Sequence, residues 1–148
     1  MDITWLCKAF SNLTPDELYS ILQLRNEVFV IEQNCVYQDC DDKDQYSYHF
    51  MGWQQNKLVA YTRLIPSGVT YEEISIGRVV TSPSIRGTKV GRELIIRSIE
   101  KLHELFGKKP IKIGAQLYLK HFYESLGFIK SSNVYLEDGI EHIKMIRN

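Results

Sequence analysis

A chain of 148 residues is the size of one ordinary domain, and its 44% hydrophobic and 24% charged residues match a folded globular protein rather than a disordered or fibrous one. Eighteen Lys and Arg balance eighteen Asp and Glu, so no net field favours nucleic acid or an anionic membrane surface. No apolar run is long enough to span a bilayer, no basic-then-apolar leader opens the chain, and Cys7, Cys35 and Cys40 form neither a disulfide framework nor a zinc site, so the expectation is a cytoplasmic protein with reduced thiols.

In chain order, Ile3 to Phe10 reads as a strand. Thr14-Pro15-Asp16-Glu17 is a helix start, with Thr14 as N-cap, proline at the first helical position and Glu17 closing a capping box. Leu18, Ile21, Leu22, Val28 and Phe29 follow as an apolar stripe at helical spacing. Gln33 to Gln45 is polar and reads as a loop. Its aspartates Asp39, Asp41, Asp42 and Asp44 lack the glycine and glutamate of a calcium loop, and no metal is expected. Tyr48 to Trp53 and Leu58 to Ile65 are strands joined around Gln55-Asn56-Lys57. Ile74 to Thr81 is another, stopped by Ser82-Pro83.

From Lys89 the period turns helical through Val90, Leu94, Ile95, Ile99, Leu102 and Phe106, and Gly107 with Pro110 ends it. Ile111 to Ala115 is a short strand. Leu119, Phe122, Tyr123 and Leu126 form a second helical stripe capped by Gly127. Phe128 to Lys130 is extended, and Tyr135-Leu136 and Ile140 to Ile146 flank the hairpin turn Glu137-Asp138-Gly139. The order β-α-β-β-β-α-β-α-β-β predicts one mixed α/β (α+β) domain.

The segment Arg78 to Arg92 carries the strongest chemical signal. A strand gives way to a basic, Gly-containing loop and then to a helix, so free main-chain amides, the helix dipole, Arg86, Lys89 and Arg92 converge on one point. Cations at a helix start oppose the dipole, which favours an anion site over a purely structural one. The sequence is neither a Walker A loop nor a dinucleotide Gly-x-Gly-x-x-Gly.

Arg86-Gly87-Thr88-Lys89-Val90-Gly91, followed later by Phe122-Tyr123-Glu124-Ser125-Leu126-Gly127-Phe128, resembles the GNAT acyl-CoA N-acyltransferase superfamily. Leu24-Arg25, Val28-Phe29-Val30, Glu32-Gln33-Asn34, Tyr37-Gln38-Asp39 and Glu137 to His142 are similar to its ElaA-type branch. The resemblance covers the whole chain, 1–148. It implies a mostly antiparallel central sheet of about seven strands flanked by helices, with the sheet opening between Thr81 and Ile111. It also implies acetyl-CoA as co-substrate, a small-molecule or peptide amine as acceptor, and allows a homodimer.

The family's phosphate loop, Gln/Arg-x-x-Gly-x-Gly/Ala, falls on Arg86, Lys89 and Gly91, with Gly87, Thr88, Val90 and Arg92 around them; Lys89 stands where glycine is usual. Val79, Val80 and Thr81 fall on the strand that pairs with the pantetheine arm, Gln116 on a cofactor-contacting position, and Tyr123 on the tyrosine that faces the thioester sulfur. The strand position often held by a glutamate base is Gly77, which leaves a water relay, Glu32 or His142 for that role. Arg25 lies on the first helix's buried stripe with Glu32 seven residues on, and reads either as half of a structural pair with Glu32 or an aspartate, or as a wall of the acceptor pocket with Phe29 and Gln33. His49 and Arg63 read as buried, paired strand residues.

Two rival readings accompany this one. Arg25-x-x-x-Phe29 with Asp41, Asp44 and Arg63 bears a weaker resemblance to acyl-homoserine-lactone synthases. The absent strand carboxylate and Lys89 are also compatible with a non-catalytic acyl-CoA-binding module.

Overall fold

The structure, a computed structural model, describes residues 2–148. Strand β1 (Thr4–Ala9) leads through a short turn to helix α1 (Pro15–Arg25). The capping box forms as the residue types require: Thr14 Oγ1 accepts from the Glu17 amide at 3.1 Å, and Glu17 Oε1 accepts from the Thr14 amide at 2.8 Å.

The chain then departs from the expected regular helix. Asn26–Glu32 continues as a π-helix, with the Gln33 amide on Val28 O and the Cys35 amide on Val30 O, both at 3.1 Å. Each such turn holds one residue more than an α-turn. The added residue rotates Glu32 off the face that carries Arg25. Of the two pairings considered for Arg25, the one with Glu32 is absent and the one with an aspartate forms, to Asp39 and Asp44.

Strands β2 (Tyr48–Gln54), β3 (Lys57–Ile65) and β4 (Ser75–Thr81) add to β1 in the order β1-β2-β3-β4, all antiparallel. Between β3 and β4 the register passes from Tyr61↔Val80 to Arg63↔Gly77, so Arg78 and Val79 face Thr62 alone. This is a β-bulge, and Arg78 takes it in left-handed backbone, φ +47. A bulge bends its strand, and here it bends β4 away from the next strand in the chain.

Helix α2 (Val90–Phe106) ends at Gly107 in left-handed conformation, φ +88. After it come β5 (Ile111–Gln116), α3 (Lys120–Glu124), β6 (Ile129–Lys130), β7 (Tyr135–Glu137) and β8 (Ile140–Arg147). Strand β8 is the centre of a second four-stranded sheet, with β5 on one side and β6 and β7 on the other. The eight strands thus form two halves. They touch through one parallel bridge, Ile74↔Ile111, and the Lys112 amide on Ile74 O at 3.0 Å. Beyond that bridge β4 and β5 diverge.

The pleat sends neighbouring side chains to opposite faces. Phe50 joins the cluster under α2, where Leu94, Ile95 and Leu102 are fully buried, while Met51 joins the cluster under α1 with Ile21, Leu24 and Tyr61. Both faces of the first sheet are covered by helices, which fixes the open gap between β4 and β5 in place.

Candidate active site

A cavity of about 630 Å³ occupies that gap. Val79, Val80 and Thr81 line one wall, Ile113 to Gln116 the other, and Tyr123 and Phe122 close it from α3. Arg86 and Gly91 stand at one end; Cys35, Glu137, Asp138 and His142 also line it, and their contacts across the β7–β8 turn mark the other end.

The helix-start end is built from main-chain groups. Helix α2 begins at Val90, and its first internal bond is from the Glu93 amide to Lys89 O at 3.3 Å. The amides from Lys89 to Arg92 therefore have no partner one turn back and carry the positive end of the dipole. Lys89 caps the helix in left-handed backbone, φ +66, which accounts for glycine being the usual residue there. At Gly91 an added Cβ would meet nothing within 4 Å, so the chain's own packing does not require glycine there.

The surrounding cations are not equally free. Arg86 makes a two-pronged contact with Glu32, at 2.5 and 2.7 Å, and donates to Thr81 O at 3.3 Å. Arg92 donates to Ser125 Oγ at 2.8 Å. Thr88, Lys89 and Arg92 lie on an outer shoulder with Glu93 and Arg97 rather than inside the cavity, and the Val90 side chain is buried in the core. Gly87 turns the loop, φ +80.

Glu32, considered above as a base, sits at this end. The Arg86 guanidinium holds its carboxyl below the ordinary value, which makes it a poor proton acceptor. Phe29 and Gln33 line the cavity, and Gln33 Oε1 accepts from Gln116 Nε2 at 3.5 Å, joining the wall of β5 to the π-helical segment.

Arg25 is absent from the cavity. It is fully buried behind it, bonded by Nε to Asp39 and by Nη1 to Asp44, both at 2.8 Å. Arg63 pairs with Asp41 and Asp44, and Arg78 with Asp39 and Asp41. Three guanidiniums and three carboxylates thus neutralise one another and pin the loop after the π-helix against β3 and the bulge. Burial alone would raise the Asp41 and Asp44 carboxyls; their bonds to Arg63 and Arg25 overcome this and hold both below the usual carboxylate range. The aspartate-rich loop is therefore a structural clamp. His49 completes its base: Nε2 donates to Asp44 O at 2.9 Å and Nδ1 accepts from the Tyr61 hydroxyl at 2.7 Å, and burial lowers its pKa, so it stays neutral.

Tyr123 is 5% exposed and lines the cavity, and its hydroxyl has no partner among the described residues. Burial pushes its pKa up, so the phenol stays protonated. His142 lies opposite Gln116 and is 7% exposed. Gly77 also lines the cavity, where an added Cβ would meet Ile65 Cδ1 at 3.2 Å. Arg78, Cys35 and Glu137 are cavity residues that sequence reasoning did not single out. Glycine at 77, inside a strand pattern, was the available signal for the bulge.

This arrangement fits a thioester of coenzyme A: free amides for a diphosphate, a strand edge for an amide-containing arm, and an unpartnered phenol in the same cavity.

The profile of the acetyltransferase (GNAT) domain family matches residues 12–148. The chain is 45% identical over 147 residues to protein ElaA of Escherichia coli K12, covering 98% of this chain and 96% of that one. Its fold matches the crystal structure of E. coli ElaA with a TM-score of 0.93, at 44% identity over 99% of this chain and all of that one. It matches an acyl-CoA N-acyltransferase from Pseudomonas aeruginosa with a TM-score of 0.95, at 40% identity over 99% of this chain and all of that one. An aminoglycoside 6'-N-acetyltransferase complexed with coenzyme A, 17% identical over 96% of both chains, shares the fold with a TM-score of 0.69. The chain belongs to the GNAT acetyltransferase family, in its ElaA-like branch.

Proposed function

We propose that this protein is a cytoplasmic N-acetyltransferase that moves the acetyl group of acetyl-CoA to the primary amine of a small molecule or peptide by direct attack. One observation carries the reading. Gly91 in the first turn of α2, the edge of β4 at Val79 to Thr81 and the unpartnered Tyr123 hydroxyl all line the same cavity.

Acetyl-CoA supplies an acyl carbon activated as a thioester. The amides of Lys89 to Arg92 bind the diphosphate, and the edge from Val79 to Thr81 aligns the pantetheine arm. An N–H near Val80 faces the carbonyl oxygen, where negative charge grows as the amine attacks. Tyr123 donates a proton to the departing sulfur, a transfer worth roughly 10²–10⁴-fold. No covalent enzyme intermediate is required, because the amine and the acyl carbon are held in one cavity.

The test is thiol release from acetyl-CoA, followed with a chromogenic disulfide, against primary amines. Amine-dependent thiol release is expected. Tight binding of acetyl-CoA with no release for any amine would instead favour a non-catalytic acyl-CoA-binding module.

A further inference from the structure

The reaction needs a group that takes a proton from the incoming ammonium, because only the neutral amine attacks. Most ionisable side chains lining the cavity are already engaged. Glu32 is held by Arg86, Arg78 by Asp39 and Asp41, and the Tyr37 hydroxyl by Asp39 at 3.1 Å. The Cys35 thiol rests on Asp138 O at 3.3 Å.

His142 is different. Its Nδ1 lies 2.7 Å from Ile140 O. A carbonyl oxygen only accepts, so Nδ1 carries the hydrogen and the Nε2 of the neutral ring carries the lone pair. Nε2 has no hydrogen-bond partner among the described residues; the carboxylate oxygen Glu137 Oε2 is 3.6 Å away. The ring is held by stacking on Tyr135 at 5.9 Å. Gln116 faces it from β5, Glu137 and Tyr135 from β7, and Lys144 shares its face of β8. Glu137 has a 57% exposed side chain, lines the same cavity and has no Lys or Arg bonded to it among the described residues.

We propose that His142 is the general base of the transfer and that Glu137 receives the acceptor as its ammonium, so that the acceptor is a primary amine that arrives protonated. The inference rests on the acetyl-transfer reading above. One amine proton passes to Nε2, forming an imidazolium beside Glu137, and from there to solvent, which restores the neutral ring. The C–N bond forms as the C–S bond breaks, and a second amine proton balances the one that Tyr123 delivers to sulfur. The products are an amide, a thiol and one released proton.

The experiment compares wild type, His142→Gln and Glu137→Gln with two acceptors of similar shape. Ethylamine is an ammonium at neutral pH, and 2,2,2-trifluoroethylamine is largely neutral. His142→Gln should lower kcat/KM for ethylamine about 100-fold and for trifluoroethylamine by less than about fivefold. The ethylamine deficit should shrink as pH rises and the free amine becomes available. Glu137→Gln should raise KM for ethylamine several-fold and leave trifluoroethylamine unchanged. Equal losses with both amines, or no loss, in His142→Gln overturns the base assignment. If that variant no longer binds CoA, the exposed Glu137→Gln carries the test, and an unchanged KM ratio between the two amines overturns the proposal. Silence of the wild type with both amines at every pH overturns the acetyl-transfer reading, and this inference with it.

Discussion

The two ends of the cavity handle charge in opposite ways. At the α2 end the ligand-facing groups are main-chain amides, and the nearby cations Arg86 and Arg92 are held by exposed partners that a ligand can displace. At the β7–β8 end the arginine on the wall, Arg78, is locked by Asp39 and Asp41, and the groups left open are Glu137 and His142. One end thus suits an anion and the other a cation. The buried Arg–Asp clamp holds Arg78 in the left-handed backbone of the bulge.

The largest effect that would sharpen this contrast is on turnover. If the phenol is the acid for the leaving sulfur, Tyr123→Phe should lower kcat by about 10²-fold or more while CoA affinity holds. Equal turnover in single-turnover assays removes the acid role.

The next largest is on stability. Asp44→Ala leaves Arg25 and Arg63, both almost fully buried, each short of a bond. A loss of about 3–5 kcal/mol is expected in urea denaturation, since breaking a buried pair strands a charge. A loss below about 1 kcal/mol would contradict the clamp. The clamp also sets the response to acid. Asp41, Asp44 and His49 all have folded-state pKa values below their unfolded ones. Their contribution is present above the unfolded values and is lost as pH falls, first below about 6.5 for His49 and then through the carboxylate range. Urea midpoints should therefore fall from pH 7 to pH 4.5.

Smaller effects belong to the α2 end. Glu32→Gln releases Arg86 for the diphosphate and should tighten CoA binding by up to about fivefold, the scale of an exposed ion pair. Lys89→Gly should weaken CoA binding through the lost cation, while the melting temperature stays level or rises slightly as the left-handed backbone is relieved. Weaker CoA binding by Glu32→Gln would show that the carboxylate helps the site rather than occupying its arginine.

Local chemistry explains what was legible in the sequence. The capping box at Thr14, the break at Pro83, the loop entering α2, the stop at Gly107 and the turn at Asp138-Gly139 each depend on a few adjacent residues, and each appears as read. The features that were not legible depend on tertiary contacts. Spacing left the partner of Arg25 open between Glu32 and an aspartate; the aspartates Asp39 and Asp44 hold it, a choice that depends on where the following loop folds back. Arg78 in left-handed conformation is unfavourable locally and persists because Asp39 and Asp41, far away in sequence, hold it. Glu137 was legible as turn material and as part of the ElaA-like segment but not as a cavity residue, and its place beside His142 follows from the register of β7 on β8.

The central claim is that the amides opening α2 grip the diphosphate of a CoA thioester. Isothermal calorimetry of acetyl-CoA with wild type and Gly91→Glu tests it most directly. Gly91 has open space around it, so the substitution adds bulk and negative charge at the ligand's position while leaving the fold intact. One-to-one binding by the wild type and its loss by about 100-fold or more in a normally folded variant is the predicted result. Unchanged affinity in Gly91→Glu, or no uptake by the wild type at millimolar ligand, would contradict it.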